Sequence, residues 1–359
     1  MYKSKKSWLM VLVPALIIRI WAFFPGAVER FYSNGLYPVI SGGQRMLLGW
    51  IPFSIGDLFY TVAGMYLLVM LGRSIRTIAR KKAGRAYWWR AFQGLVFWCG
   101  WIYVSFNALW GLNYNRLGVA RQMHLAMKPY SNEELKTVVQ IIIQRLHETD
   151  TAALHTRERF TKKSALFGEA RLSYQSAGQR YPFLHYRLAS VKPSLFSYLG
   201  DYLGFTGYYN PFSGEAQVNT TVPVFVQPFT TCHEMGHQLG YAKENEANFA
   251  GYLSAKSSAD TAFLYSMYFD LYVYGMRELY RRDSISASNI KKQVPVQVKK
   301  DFADLRAFYD RYRNPFEPLI TGMYGQYLRA NQQPSGMQSY NEVVAFLIAY
   351  GKKYGWDAL

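Results

Sequence analysis

His233, Glu234 and His237 form the pattern His-Glu-x-x-His. On a helix, the i,i+4 spacing stacks the two imidazoles on one face, where they can share a cation. Glu234 falls beside that face, placed to hold and deprotonate a water without being a ligand itself. Zn2+ is the cation this set implies, and it needs three protein ligands with a fourth position left open; His2Glu is an established catalytic set. The chain has six histidines in 359 residues. That composition yields the motif by chance in on the order of half a percent of such chains, so coincidence is a weak account.

The third ligand has to come from the residues that follow. Gly240 stands three positions after His237, where a glycine can end a helix in the left-handed conformation and turn the chain back. The return brings Glu244 or Glu246 toward the histidines. Residues two apart on a helix point about 200° away from each other, so only one of them can face the metal. Glu244 is favoured, because Asn248 lies at i+4 from it and can hydrogen-bond a ligand from behind; Glu246 is the alternative. Ala247, Ala250 and Gly251 give the second helix a small-residue face for close approach to the first. Cys232 sits on a different helical face from His233 and reads as a packed small residue. The chemistry expected is hydrolysis of a peptide bond, with Glu234 taking a proton from the attacking water and passing it to the leaving amine. His185, Tyr208 and Tyr209 are candidates to stabilise the oxyanion.

In these residues the chain resembles the gluzincin-type zinc peptidases, in which His-Glu-x-x-His precedes a helix carrying Glu-x-x-x-Asp or a close variant. Here that element reads Glu244-Asn-Glu-Ala-Asn248, with Asn in place of the commoner Asp. The interval after His237 is as short as in metzincins, but Lys243 occupies the place of their third histidine. Over nearly its whole length the chain resembles an uncharacterised bacterial membrane family, the domain-of-unknown-function family 3810. That resemblance rests on an apolar front end, on the stretch 207–219, and on the His-Glu-Met-Gly-His to Glu-Ala-Asn segment. Zinc peptidases of this class commonly place an edge strand above the active-site helix. By resemblance, Gly214, Glu215, Ala216, Gln217, Val218 and Asn219 are the candidate edge, where an extended peptide would add as a further strand; a structural hairpin without substrate contact is the other reading.

The elements around this site fall into two parts. Residues 8–24, 55–72 and 92–112 are apolar runs near the length of about 20 helical residues that crosses a bilayer core. Retained spans are expected rather than a cleaved signal peptide, because no clean small-residue cleavage site follows the first run. Arg19 reads as an interfacial anchor. Lys3, Lys5 and Lys6 precede the first run, and Arg73, Arg76, Arg80, Lys81, Lys82, Arg85 and Arg90 lie between the second and third. Positive charge marks the cytoplasmic side. The expected arrangement is a three-helix membrane region over 1–112 in the bacterial inner membrane, N-terminus cytoplasmic, with residues 113–359 extracytoplasmic.

Residues 113–359 suffice for one domain with a sizeable core. A mainly α, zincin-like α+β fold with a small sheet is expected, with helices over 131–146, 261–280, 298–312 and 339–352. Brief strands are expected within 188–191 and 215–226, and a polar connection over 284–292. The tyrosine stripe over 265–280 reads as core or a membrane-facing surface, with the lining of a substrate groove as the other reading. A formal charge of +18 would suit nucleic acid, but no nucleic-acid motif accompanies it, and anionic lipid is the partner the basic loop suggests. Two cysteines imply no disulfide framework. The polar flanks Gln227, Thr230, Gln238 and Lys243 argue against an intramembrane protease. The expected protein is a membrane-anchored zinc metallopeptidase acting on a peptide or protein substrate. The alternatives are a non-catalytic zincin-fold interaction module and a zinc amidohydrolase acting on a cell-envelope component.

Overall fold

The computed structural model describes residues 5–359; Lys3, invoked for orientation, lies outside them. Helix α1 (Lys5–Trp21) is followed by a single turn α2 (Pro25–Ala27), a nine-residue π-helix (Val28–Leu36) and α3 (Tyr37–Leu48), which together bend back from α1 by 103°. Helix α4 (Ile55–Ala79) starts at Ser54, whose hydroxyl accepts from the Asp57 amide at 3.0 Å, and α5 (Arg85–Leu109) follows after a short basic turn.

Among the described residues, only α4 is by itself long and apolar enough to cross a membrane; the bent pair of α1 with residues 25–48 counts as a second candidate if taken as one broken span. Of the three spans expected from sequence, one or two meet that test. Gln93, Asn107 and the Trp and Tyr residues of α5 keep the third run below that apolarity. Helix α5 instead packs along α1, where Gly100 admits Val11 and Trp8 meets the edge of Phe97 at 5.5 Å.

The rest of the chain is mainly helical around a three-stranded sheet. After α6 (Val119–Gln122), the helix expected from 131 runs over α7 (Asn132–Thr156), opened by a reciprocal Ser131–Glu134 capping box. Its stripe Leu135, Val138, Val139, Ile142 and Leu146 is fully buried, the i, i+3, i+4, i+7 pattern of a core-facing helix. Next come α8 (Lys163–Arg180), α9 (Ser197–Leu203), α10 (Gln227–Gln238), α11 (Glu244–Lys256) and α12 (Thr261–Arg282), the last packed along α7. Residues 284–292, expected as a connection, form α13 (Ser284–Lys291), because the Asp283 carboxylate caps it at the Ser286 amide. Helices α14 (Val296–Tyr312), α15 (Glu317–Ala330) and α16 (Val343–Tyr354) complete the chain. The start of α16 is later than expected, since Ser339 bonds to the Gly336 carbonyl inside a 3-10 turn and forms no capping box. Of the tyrosine stripe, Tyr265, Tyr268 and Tyr272 are core.

Strands β1 (Val191–Pro193), β2 (Gly207–Asn210) and β3 (Glu215–Val218) take the order β1-β3-β2, with β1 parallel and β2 antiparallel to β3. The strand expected as a substrate-binding edge is therefore central. Both sides of β3 are paired, Ala216 with Val191 and with Tyr209, and no ladder is left for a peptide. Its side chains have structural partners. Glu215 accepts from Ile55 N (3.2 Å) and Gly56 N (2.8 Å), neutralising the start of α4, and Gln217 bonds to Ser54. Asn219 donates to Asp201 and to the Ser197 and Phe205 carbonyls, and Gly214 takes φ +69° beside Gln44. Edge positions belong to β1 and β2.

No linker separates front from back at residue 112. One buried cluster joins Ile18, Val28, Tyr32 and Tyr37 with Trp110, Leu112, Tyr114, Tyr209 and Ala242.

Candidate metal centre

Helix α10 carries His233, Glu234 and His237, all buried. It closes in a Schellman turn, with Tyr241 N donating to Gly236 O at 3.3 Å and Gly240 N to His237 O at 3.0 Å. Gly240 has φ +84°, a conformation that side-chain-bearing residues adopt only under strain. The reversal starts α11 at Glu244. The two helices cross closely at glycine: a Cβ on Gly251 would lie 3.1 Å from the His233 amide nitrogen and 3.2 Å from its Cα. The small-residue face of α11 is thus what lets Glu244 reach the histidines.

The Nε2 atoms of His233 and His237 lie 3.2 and 3.5 Å from Glu244 Oε2, and the three possible ligand atoms fall within 4.8 Å of one another. The opposite ring nitrogens fix the tautomers. His237 Nδ1 lies 2.7 Å from the Tyr241 carbonyl, which can only accept, so Nδ1 carries a proton and Nε2 is the nitrogen that presents a lone pair when the ring is neutral. His233 Nδ1 lies 2.7 Å from Asn248 Oδ1, and the Asn248 amide nitrogen points to the Tyr340 carbonyl at 3.4 Å. In their neutral form both rings would aim acceptors at Glu244 Oε2, and three electron-rich atoms brought together in this way are what a cation site needs. With no cation between them, burial opposes ionisation of Glu244, while protonated His237 and His233 facing it hold its carboxyl well below the usual range. Its second oxygen accepts from the Tyr324 hydroxyl at 3.1 Å, and its amide donates to Gln333.

Glu246 faces the other way. Its carboxylate lies against Gly118, beside Arg116 and Lys243, and no part of it joins the triad. Asn248 holds a candidate ligand from behind, and that ligand is His233 on the neighbouring helix. Replacing Asn248 with Ala is expected to weaken zinc affinity by roughly 10–100-fold, the usual cost of losing such a partner, as read by competition with a metal-binding dye.

Glu234 packs under the start of β2: a Cβ on Gly207 would meet its Cγ and Oε1 at 2.8 Å. Its other oxygen is buried and unpaired. Burial pushes this carboxyl up to about 8, against the pull of His233 and aided by the charge on Glu244. Cys232, behind the site, is buried with its thiol pushed up to about 12 by desolvation, a packed residue as expected. Among the oxyanion candidates, His185 is exposed and lines no part of the site. Tyr208 bonds to Asp57 and Tyr209 to Tyr37.

A cavity of about 970 Å³ opens onto Glu234, His233, His237 and Glu244. Sequence reasoning missed several of its residues. Tyr324 and Tyr340 are hydrogen-bonded to each other at 3.2 Å, and the Tyr340 ring lies parallel to His233. Asp270, with its carboxyl pushed up to about 7 by burial, and Arg277 come from α12. Trp110, at the end of α5, donates to the His237 carbonyl at 3.0 Å. An aromatic-rich composition was the only signal for these, and it did not single them out.

A family model described as "Protein of unknown function (DUF3810)" matches residues 32–348. No curated protein and no solved structure matches the chain.

Proposed function

The chain belongs to the DUF3810 family, and we propose that it is a zinc-dependent, membrane-anchored metallopeptidase working on the extracytoplasmic side. One observation carries this reading: His233, His237 and Glu244 each bring one possible ligand atom within 4.8 Å of the others, with both Nε2 atoms turned to the same carboxylate oxygen. Two ligands each about 2.0–2.1 Å from a tetrahedral zinc are about 3.4 Å apart, and the His–Glu separations are 3.2 and 3.5 Å. A zinc ion held there would act as a Lewis acid on a carbonyl and lower the pKa of a water to about 7. The chain's own residues supply the rest. The Glu234 carboxyl, free on one oxygen, can accept a proton and return it to a leaving amine. Asn248 and the Tyr241 carbonyl lock the imidazoles, and Tyr324 orients Glu244.

Elemental analysis of the detergent-purified protein tests the reading. About one zinc per chain is expected in wild type, absent from Glu244→Ala and retained by Glu246→Ala. Peptide hydrolysis should be lost on chelation and return with zinc. A wild-type protein that holds no zinc and takes none up on addition would overturn the proposal.

A further inference from the structure

The cavity is walled on one side by Tyr60 and Phe106, near the ends of α4 and α5, and on the other by α9 and α15. On the cavity side α15 turns Tyr324 onto Glu244. On the outer surface, clear of the cavity lining, Leu195 and Tyr198 form one exposed stripe at α9, and Phe316, Leu319 and Met323 another along α15. The second has the i, i+3, i+7 spacing of one helix face. Tyr198 is 71% exposed and Met323 65%, in a soluble setting an unusual concentration of large apolar side chains.

The two stripes are joined to each other and to α4. Asn314, just before α15, donates to the Tyr202 carbonyl at 2.8 Å, and Tyr202 meets Tyr312 edge-on at 5.1 Å. The Leu195 amide donates to Asp57 in the first turn of α4 at 2.7 Å. From there the exposed apolar surface continues over Leu58, Phe59 and Val62 of α4, and Phe59 packs on Phe212 at the cavity wall. Arg311, Arg313 and Arg329 bracket α15, against Asp310 and Glu317. An apolar helix face flanked by cations suits a surface of acyl chains and anionic headgroups.

We propose that α9 and α15 form a membrane-docking platform, lying in the headgroup boundary of the same bilayer that α4 enters. The cavity mouth then opens at the membrane surface. Resting on the peptidase reading, the substrate class becomes a polypeptide anchored in that bilayer and cleaved close to it, rather than a freely diffusing one.

The platform is tested without reading metal or activity, so its failure is separable from failure of the peptidase proposal. Single cysteines at Tyr198 and Met323, in the Cys99→Ser background, are spin-labelled and the protein is reconstituted in phosphatidylcholine–phosphatidylglycerol vesicles. Leu68 in α4 serves as lipid reference and Glu133 on α7 as aqueous reference. Both platform labels are expected to show the high-oxygen, low-nickel accessibility of Leu68. Aqueous values at either platform position would overturn the platform, and aqueous values at Leu68 would remove its anchor and overturn it equally. Reactivity of the unlabelled cysteines toward a membrane-impermeant thiol reagent in detergent and then in vesicles gives a second reading. Protection on reconstitution is expected at both positions, and unchanged reactivity would overturn the proposal.

Discussion

Glu234→Gln is expected to bind zinc to the same stoichiometry as wild type and to hydrolyse peptides roughly 10²–10⁴-fold more slowly, the usual contribution of a positioned general base. The variant separates two roles that sequence position alone leaves fused. Glu234 sits between the candidate ligands, but one of its oxygens rests under Gly207 and the other is unpaired at the cavity wall. Neither joins the His233, His237 and Glu244 cluster. Gln keeps the volume that Gly207 makes room for while removing the capacity to take a proton. The loss should therefore fall on kcat with little change in KM. Wild-type turnover in the variant would remove Glu234 from the chemistry, and loss of zinc would make it part of the binding set.

What the sequence disclosed about this site is what lies close together along it. His233, His237, Gly240 and Glu244 span three turns of chain, so helical period and one glycine turn suffice to place them. Period also separates Glu244 from Glu246, which face opposite sides of α11. The partners of those residues are a different matter. Tyr324, Gln333 and Tyr340 reach Glu244 and Asn248 from about 80 to 92 positions away, and no local pattern distinguishes them from other aromatic or polar residues. The sheet failed for the same reason. Gly214 to Asn219 read as an edge strand or as part of a structural hairpin, and β3 does pair with β2 as a hairpin, but the parallel pairing of β3 with Val191–Pro193 comes from a separate segment and turns the supposed edge into the centre. The division at residue 112 rested on hydropathy, which reports transfer to lipid and not which faces of a helix are already occupied. The turn back after α1 places Tyr37 on the Gln238 carbonyl at 2.8 Å, making the front of the chain part of the wall behind α10.

Glu29→Ala is expected to destabilise the protein by about 3–5 kcal/mol, the cost of leaving a buried charge without its partner. Glu29, on the π-helix, takes two charge-assisted bonds from Arg116, at 2.9 and 2.8 Å, with side chains only 11% and 2% exposed. Gln122 donates to the same carboxylate at 2.8 Å. Arg116 in turn donates to the Gly240 carbonyl at 3.1 Å and lies over the Tyr241 ring, the residue whose carbonyl fixes His237. Removing Glu29 strands the guanidinium and loosens the turn that carries α10 into α11. The melting temperature in detergent should fall by on the order of 10 °C, and zinc affinity should fall with it. Replacing both partners, Glu29→Leu with Arg116→Met, removes the unpaired charge and should recover much of the stability but not the tie to Gly240. A single variant that melts within a few degrees of wild type would show that the pair is solvated. Loss of stability with unaltered zinc affinity would show that the turn stands without it. If both fall together, the front third of the chain is part of the scaffold of the metal centre, and the domain behind it cannot be cut free of that front third without losing the site.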